Sequence, residues 1–265
     1  MLKKRLIFTI LLQNKKIVLS RNFKLQSVGY IDWVIENFNI DSLFNSIDEL
    51  VILNMNRSDD DFSIFCQQVA NFSKNCFMPI SAGGGITSES HATEILNSGA
   101  DKIVVNSILF ENPQLVKALV RKYGSQCIVA SIDYKIINNE RKVFTKNGTL
   151  NTELDLIKVV EGILTLGVGE IYLTSIDKDG TGLGYDIEGI EKVVNMSTIP
   201  VIASGGIGKI EQFSEGIIAT NVDGVSTANL FNFVGDALFD AREHLIEKGI
   251  DIAIWKKIHN SNSNA

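Results

Sequence analysis

Cysteine and histidine are both scarce in this 265-residue chain, with three of each. Cys66, Cys76 and Cys127 show no paired or metal-ligand spacing, and their odd number argues against a disulfide framework. His91, His244 and His259 lie far apart in helical or tail contexts, which leaves no donor set for a structural zinc ion. A basic excess is missing too. The net charge is −6 and the pI about 5.2, so no field attracts nucleic acid and no polybasic patch addresses a membrane surface. Long apolar runs are also absent. Residues 6–12 are apolar but fall far short of the roughly 20 residues of a membrane span. They are also shorter than a signal peptide's apolar region and have no small-residue cleavage site. They read as a buried strand, and the protein as cytoplasmic. No Gly-x-Gly-x-x-Gly follows that strand, which weighs against the runner-up fold, an open doubly wound sheet, and no nucleotide cofactor is implied.

What is present is a strict alternation. Short β-branched runs at 6–12, 49–54, 78–82, 102–106, 127–133, 170–176, 200–204 and 224–228 read as strands. Between them lie amphipathic stretches near 31–38, 60–73, 88–97, 113–123, 153–166, 187–195, 211–219 and 234–248. Eight strands and eight helices without a linker predict a closed (βα)8 barrel, an α/β fold in a single domain over residues 1–259. The polar residues 260–265 are predicted to be a disordered tail. Irregular segments are predicted at 13–29, 134–152 and 177–187, all after strand C-terminal ends, where such barrels build active sites. Asn138-Asn139 between two apolar runs suggests a small hairpin.

The chain also repeats itself. Ala82-Gly83-Gly84-Gly85-Ile86 matches Ala203-Ser204-Gly205-Gly206-Ile207, and Leu109-Phe110 matches Leu230-Phe231, both offset by 121 residues. Residues 6–12 correspond similarly to 128–134, and 50–56 to 173–179. A glycine turn feeding a helix presents free backbone N–H groups and the positive end of a dipole, a ready anion site. About 20 residues beyond each glycine turn, a strand ends in small polar residues, Asn106-Ser107 in one half and Ala228-Asn229 in the other. Two half-barrels then predict two phosphate sites facing each other across the mouth. A tight turn with no ligand is the alternative for either cluster alone.

Three aspartates end strands in the second half: Asp133, Asp177 and Asp179. A carboxylate at that end of a barrel strand points into the mouth as a general acid or base, although a helix cap or loop anchor would use the same residue type. The corresponding first-half positions hold Leu11, Asn54 and Asn56, so each half cannot contribute one proton carrier.

At this point the motifs identify a family. Met1-Leu-Lys-Lys-Arg5, Asp48-Glu49-Leu-Val, Gly83-Gly-Gly-Ile, Gly99-Ala-Asp-Lys-Ile, Leu173-Thr-Ser-Ile-Asp-Lys-Asp-Gly-Thr and Ile202-Ala-Ser-Gly-Gly resemble the cyclase subunit of imidazole glycerol phosphate synthase, the HisF family. The likeness covers essentially the whole chain. It implies a barrel that takes ammonia from a HisH-like glutaminase docked on its N-terminal face and delivers it to a bisphosphorylated substrate. By resemblance, one phosphate sits on Gly84, Gly85, Asn106 and Ser107, and the other on Gly180, Gly206, Ala228 and Asn229. The charged gate for ammonia corresponds to Arg5, Glu49, Lys102 and Glu170, and Asp101 to a position facing the glutaminase. Asp133, Lys135, Thr174 and Asp179 are retained from the catalytic region. The family's strand-one aspartate is Leu11 here, its following-loop lysine is Leu19 and its strand-two aspartate is Asn54. General acid–base help is worth roughly 10²–10⁴ in rate, so ordinary cyclase activity should nearly vanish.

An intact gate below an altered mouth suggests a diverged paralogue serving another acceptor. Such paralogues occur in surface-polysaccharide biosynthesis, which implies amidation of an acetamido sugar to an acetamidino group, with a separate sugar amidotransferase. The alternatives are the ordinary histidine-pathway cyclase and a non-catalytic ammonia conduit or scaffold. Neither nucleic acid nor membrane is an expected partner, and no metal or cofactor is expected.

Overall fold

The computed structural model describes residues 3–38, 46–56, 62–74, 76–229, 232–233 and 235–254, with backbone alone at 35, 36 and 38. The strands among these residues are, in chain order, β1 (Arg5–Gln13), β2 (Lys16–Arg21), β3 (Lys24–Tyr30), β4 (Glu49–Asn54), β5 (Ile80–Gly83), β6 (Lys102–Val105), β7 (Ile128–Ile137), β8 (Glu140–Thr145), β9 (Leu150–Asp155), β10 (Glu170–Ser175), β11 (Val201–Ser204) and β12 (Gly224–Thr227). Eight of them, β1, β4, β5, β6, β7, β10, β11 and β12, pair in parallel in that order, and β12 pairs back onto β1. The sheet therefore closes, and helices cover its outside. This is the (βα)8 barrel that the alternation predicts. No helix of the described residues is long and apolar enough to cross a membrane.

Strand periodicity sorts the side chains into two cores. On β1, Leu6, Phe8, Ile10 and Leu12 face outward into the large cluster shared with the helices. Ile7, on the other parity, meets Val51, Val104, Val129, Tyr172 and Ile202 inside the barrel. Local chemistry sets the helix ends. Asn112 accepts from the Leu115 amide at 3.1 Å, and Pro113 opens the helix Pro113–Tyr123. Ser88 caps Glu89–Asn97 in the same way, and Asp155 caps Leu156–Leu164.

Three expectations need correction. The segment 134–152 is largely ordered rather than irregular, because β7 continues to Ile137 and pairs with β8, which pairs with β9. The segment 13–29 is not irregular: β1 runs on past the barrel rim and folds back through β2 and β3. Its two-residue turns, Asn14-Lys15 and Asn22-Phe23, both have positive φ, the conformation that matches strand twist in a hairpin. The helix expected over 153–166 starts only at Leu156, because 150–155 is drawn into β9 by pairing with β8. β7 and β8 form the hairpin suggested by Asn138-Asn139. Thus the first strand of each half ends in a projecting hairpin, and both stand over the mouth. The polar tail 260–265, the repeat pair Leu230-Phe231, and residues 60 and 234 at two predicted helix starts lie outside the described residues.

Candidate active site

The barrel interior is layered from base to mouth. At the base, the first inward positions of β1, β4, β6 and β10 bring together all four predicted gate residues. Arg5 donates to Glu49 at 2.7 Å and also to Glu170, while Lys102 reaches Glu49 at 3.0 Å and Glu170 at 2.9 Å. The Ser81 hydroxyl adds a further bond to Glu49. Burial disfavours the Arg5 charge, but Glu170 and Glu49 outweigh it and raise the guanidinium pKa. Each buried carboxylate faces both cations, the geometry that makes burying charge tolerable. Asp101 is exposed at the same end, with one oxygen accepting from the Ile80 amide at 2.8 Å.

Above the ring lies the apolar layer of Ile7, Val51, Val104, Val129 and Ile202. Tyr172 crosses out of this layer, and its hydroxyl meets Thr9 at 2.8 Å, Ser204 at 2.9 Å and Ser226 at 3.2 Å. Thr9, Tyr172 and Ser204 form part of the floor of a cavity of about 480 Å³ that opens at the C-terminal face.

Asp133, the last inward residue of β7 within the barrel, and Asp179, in the turn after β10, both line this cavity. Burial above all, then the Asp179 charge, pushes the Asp133 carboxyl up to about 7, against the opposing hydrogen bond from Asn106. That bond is 3.1 Å long, and the same Asn106 amide also donates to the Ser131 carbonyl. Near neutral pH Asp133 is therefore poised between acid and base. Burial also raises Asp179, against bonds from Ser20 at 2.5 Å and the Phe23 amide at 3.0 Å. Asp179 thus anchors the β2–β3 hairpin over the mouth. Facing the carboxylates is an apolar wall in which Leu11 packs with Val18, Met55, Leu25 and Leu53. Thr174 and Asn54 line the same cavity, and Asn54 accepts from the Asn56 amide at 3.0 Å.

The predicted anion cradles are separate but connected. Gly84, Gly85, Asn106 and Ser107 line the large cavity. Gly180, Gly206 and Asn229 line a second one of about 170 Å³, which also takes in Leu19. Ser20, Asp179, Ser204 and Ala228 border both cavities. Gly84 has φ +103°, and a Cβ there would stand 2.5 Å from the Asn54 carbonyl oxygen. Gly206, with φ +115°, packs its Cα face against the Gly184 carbonyl. Both positions need glycine, since positive φ and the close backbone neighbour leave no room for a side chain.

Not every predicted residue arrives. Lys135 is exposed on the hairpin beyond the barrel and does not line either cavity. Asp177 points away and accepts from the Ile136 amide at 2.7 Å, the loop-anchor alternative. Sequence reasoning missed Arg21 and Lys24, which the β2–β3 hairpin carries to the second cavity, and Lys146 and Asn147, which the β8–β9 turn carries to the first. The only hint was the length of the two segments following β1 and β7. Among the described residues, no cluster of three His, Cys, Asp or Glu could hold a metal ion.

A family model described as "Histidine biosynthesis protein" matches residues 6–236. The chain is 37% identical over 256 residues to the "Putative imidazole glycerol phosphate synthase subunit hisF2" of Parasynechococcus marenigrum, covering 96% of this chain and 95% of that protein. It is 34% identical over 255 residues to the "Imidazole glycerol phosphate synthase subunit HisF" of Chlorobium phaeovibrioides, covering 96% and 100%. Over 207 residues it is 41% identical to the HisF of Pyrobaculum aerophilum, covering 78% and 81%.

Proposed function

The chain belongs to the HisF family of imidazole glycerol phosphate synthase subunits, within the wider histidine biosynthesis protein family, and from that premise we propose that it is a diverged member serving a glutamine-dependent amidotransferase. A HisH-like glutaminase docks on the N-terminal face beside Asp101 and releases ammonia there. The ammonia passes Arg5, Glu49, Lys102 and Glu170 and rises through the dry interior to the mouth. There a phosphorylated acceptor rests on the two glycine cradles, with Asp133 as the proton carrier. The favoured acceptor chemistry is amidation of an acetamido sugar to an acetamidino group in surface-glycan biosynthesis, together with a separate sugar amidotransferase.

One observation carries this reading: the charged ring is fully paired, while Leu11 packs into an apolar wall where the resemblance expects the first catalytic aspartate. Selection that keeps an ammonia gate has no use for it unless ammonia still passes. An aliphatic side chain cannot move a proton or bond an amine. The designation hisF2 of one relative, matched over 96% of this chain, fits a second HisF-type subunit.

The ordinary cyclase is the second reading, supported by retention of both cradles and of Asp133 and Asp179 at the mouth. Expression in a histidine auxotroph lacking its own HisF separates the two. We expect no growth from a chain that still stimulates its glutaminase; growth at the wild-type rate would overturn the diverged assignment. A pure conduit would tolerate Asp133→Asn with no loss of product, whereas a synthase subunit should lose roughly 10²-fold or more.

A further inference from the structure

The two glycine cradles repeat one backbone device, but the hairpins above them bring unequal charge. The β8–β9 turn carries Lys146 to the first cavity, where Glu111, lining the same cavity, pairs with it at 3.1 Å. The β2–β3 hairpin carries Arg21 and Lys24 to the second cavity. Both are exposed, and neither makes an ion pair with a described residue. Asp179 is the one carboxylate among the described residues lining that cavity, and it is held by the Ser20 hydroxyl and the Phe23 amide. Arg21 and Lys24 also stand directly opposite each other across the turn Asn22-Phe23. Like charges so placed repel. The turn is nevertheless pinned over the mouth, because the Asn22 side-chain amide donates to the Ile176 and Asp177 carbonyls, both at 3.0 Å.

We propose that the second cavity binds a diphosphate, so that the acceptor is a diphosphate-linked sugar rather than a carrier of phosphomonoesters alone. The inference names the substrate class of the diverged amidotransferase and rests on that reading. A diphosphate has two phosphoryl groups: one lies against the glycine turns at Gly180 and Gly206, and the other between Arg21 and Lys24. An anion between the two cations turns their repulsion into two charge-assisted contacts. The Arg21 guanidinium suits that task because its planar fork takes two phosphoryl oxygens at once. The half-repeat supplies the comparison. The described residues lining the first cavity leave no cation unpaired, so on the same reading a glycine cradle serves a phosphomonoester without one. A surplus of two positive charges at the second cradle matches the extra negative charge of a diphosphate over a monophosphate. The sugar then extends toward Asp133 across the rim that Ser20, Asp179, Ser204 and Ala228 form between the cavities.

Isothermal titration calorimetry in mildly alkaline, metal-free buffer compares inorganic pyrophosphate with inorganic phosphate. Pyrophosphate should bind at least about tenfold more tightly than phosphate. Arg21→Gln and Lys24→Gln should each cut that preference about threefold, and the double variant should bring it within about twofold. Both residues are exposed, so these changes leave the core intact. Lys158→Gln, which removes the same charge from an exposed residue lining neither cavity, should keep the full preference. Equal affinity for the two anions in the wild-type chain, an undiminished preference in the double variant, or an equal loss in Lys158→Gln overturns the proposal. The altered-acceptor reading is tested apart by the histidine auxotroph. Growth there sinks that reading and with it the diphosphate-linked acceptor, whereas the anion preference stands or falls on the titration.

Discussion

Asp133 is where the physical chemistry of a single residue speaks most clearly. A buried carboxyl raised from 3.8 to about 7 holds its proton more tightly folded than unfolded. Its contribution to stability is therefore fully present below about pH 4 and is lost as pH rises toward about pH 7, a swing of order 4 kcal/mol in which Asp179 shares. Urea unfolding across that window should show wild-type stability falling as pH rises and Asp133→Asn nearly flat; equal slopes would remove the buried-acid assignment. Leu11 makes the opposite point. It contacts Val18, Met55, Leu25 and Leu53, so Leu11→Asp would bury a carboxylate against hydrocarbon and destabilise the fold by roughly 2 kcal/mol or more, measurable by the same unfolding. That Leu11 stands where the second half has Asp133 was legible in the sequence through the half-repeat. The cluster around Leu11 was not, because the hairpin brings Leu25 to it and the pairing of β1 with β4 brings Met55.

Elements decide how the site is roofed. Asp179 holds the β2–β3 hairpin through the Ser20 hydroxyl and the Phe23 amide, while its carbonyl accepts from the Asn22 amide at 2.9 Å. Asp179→Ala should accelerate hydrogen exchange at the Phe23 amide by about tenfold or more while leaving β10 protected; unchanged exchange would show the hairpin to be held by other contacts. Gly84→Ala should destabilise by about 1–3 kcal/mol and weaken phosphate binding at the first cradle, read by thermal shift with and without inorganic phosphate. The hairpin after β7 was readable because asparagine tolerates positive φ and occurs there as a pair. The one after β1 was hidden, since Lys15 and Phe23 take positive φ that their residue types rarely adopt. Residues 153–155 looked like the start of a helix, and 150–152 like loop, because the segment carries no strand signal of its own. Pairing with β8 supplies it.

At the scale of the whole molecule, alternation and the duplicated glycine turns were enough to read the barrel, while Arg5, Glu49, Lys102 and Glu170 were named through the family resemblance, and their places at the starts of β1, β4, β6 and β10 bring them to one layer. Two hairpins above, a charged ring below and a dry layer between make one axis from base to mouth. Breaking the ring by Arg5→Met leaves Lys102 as the one ring cation facing both Glu49 and Glu170 and should cost about 3 kcal/mol, seen in the urea midpoint. The central claim, a retained ammonia route beneath a mouth that no longer performs the family reaction, meets its most direct test in the chain purified with a HisH-like glutaminase and given the aminoimidazole precursor. We predict glutamine hydrolysis with precursor turnover reduced by roughly 10² or more against an ordinary HisF. Turnover matching that HisF would contradict the account.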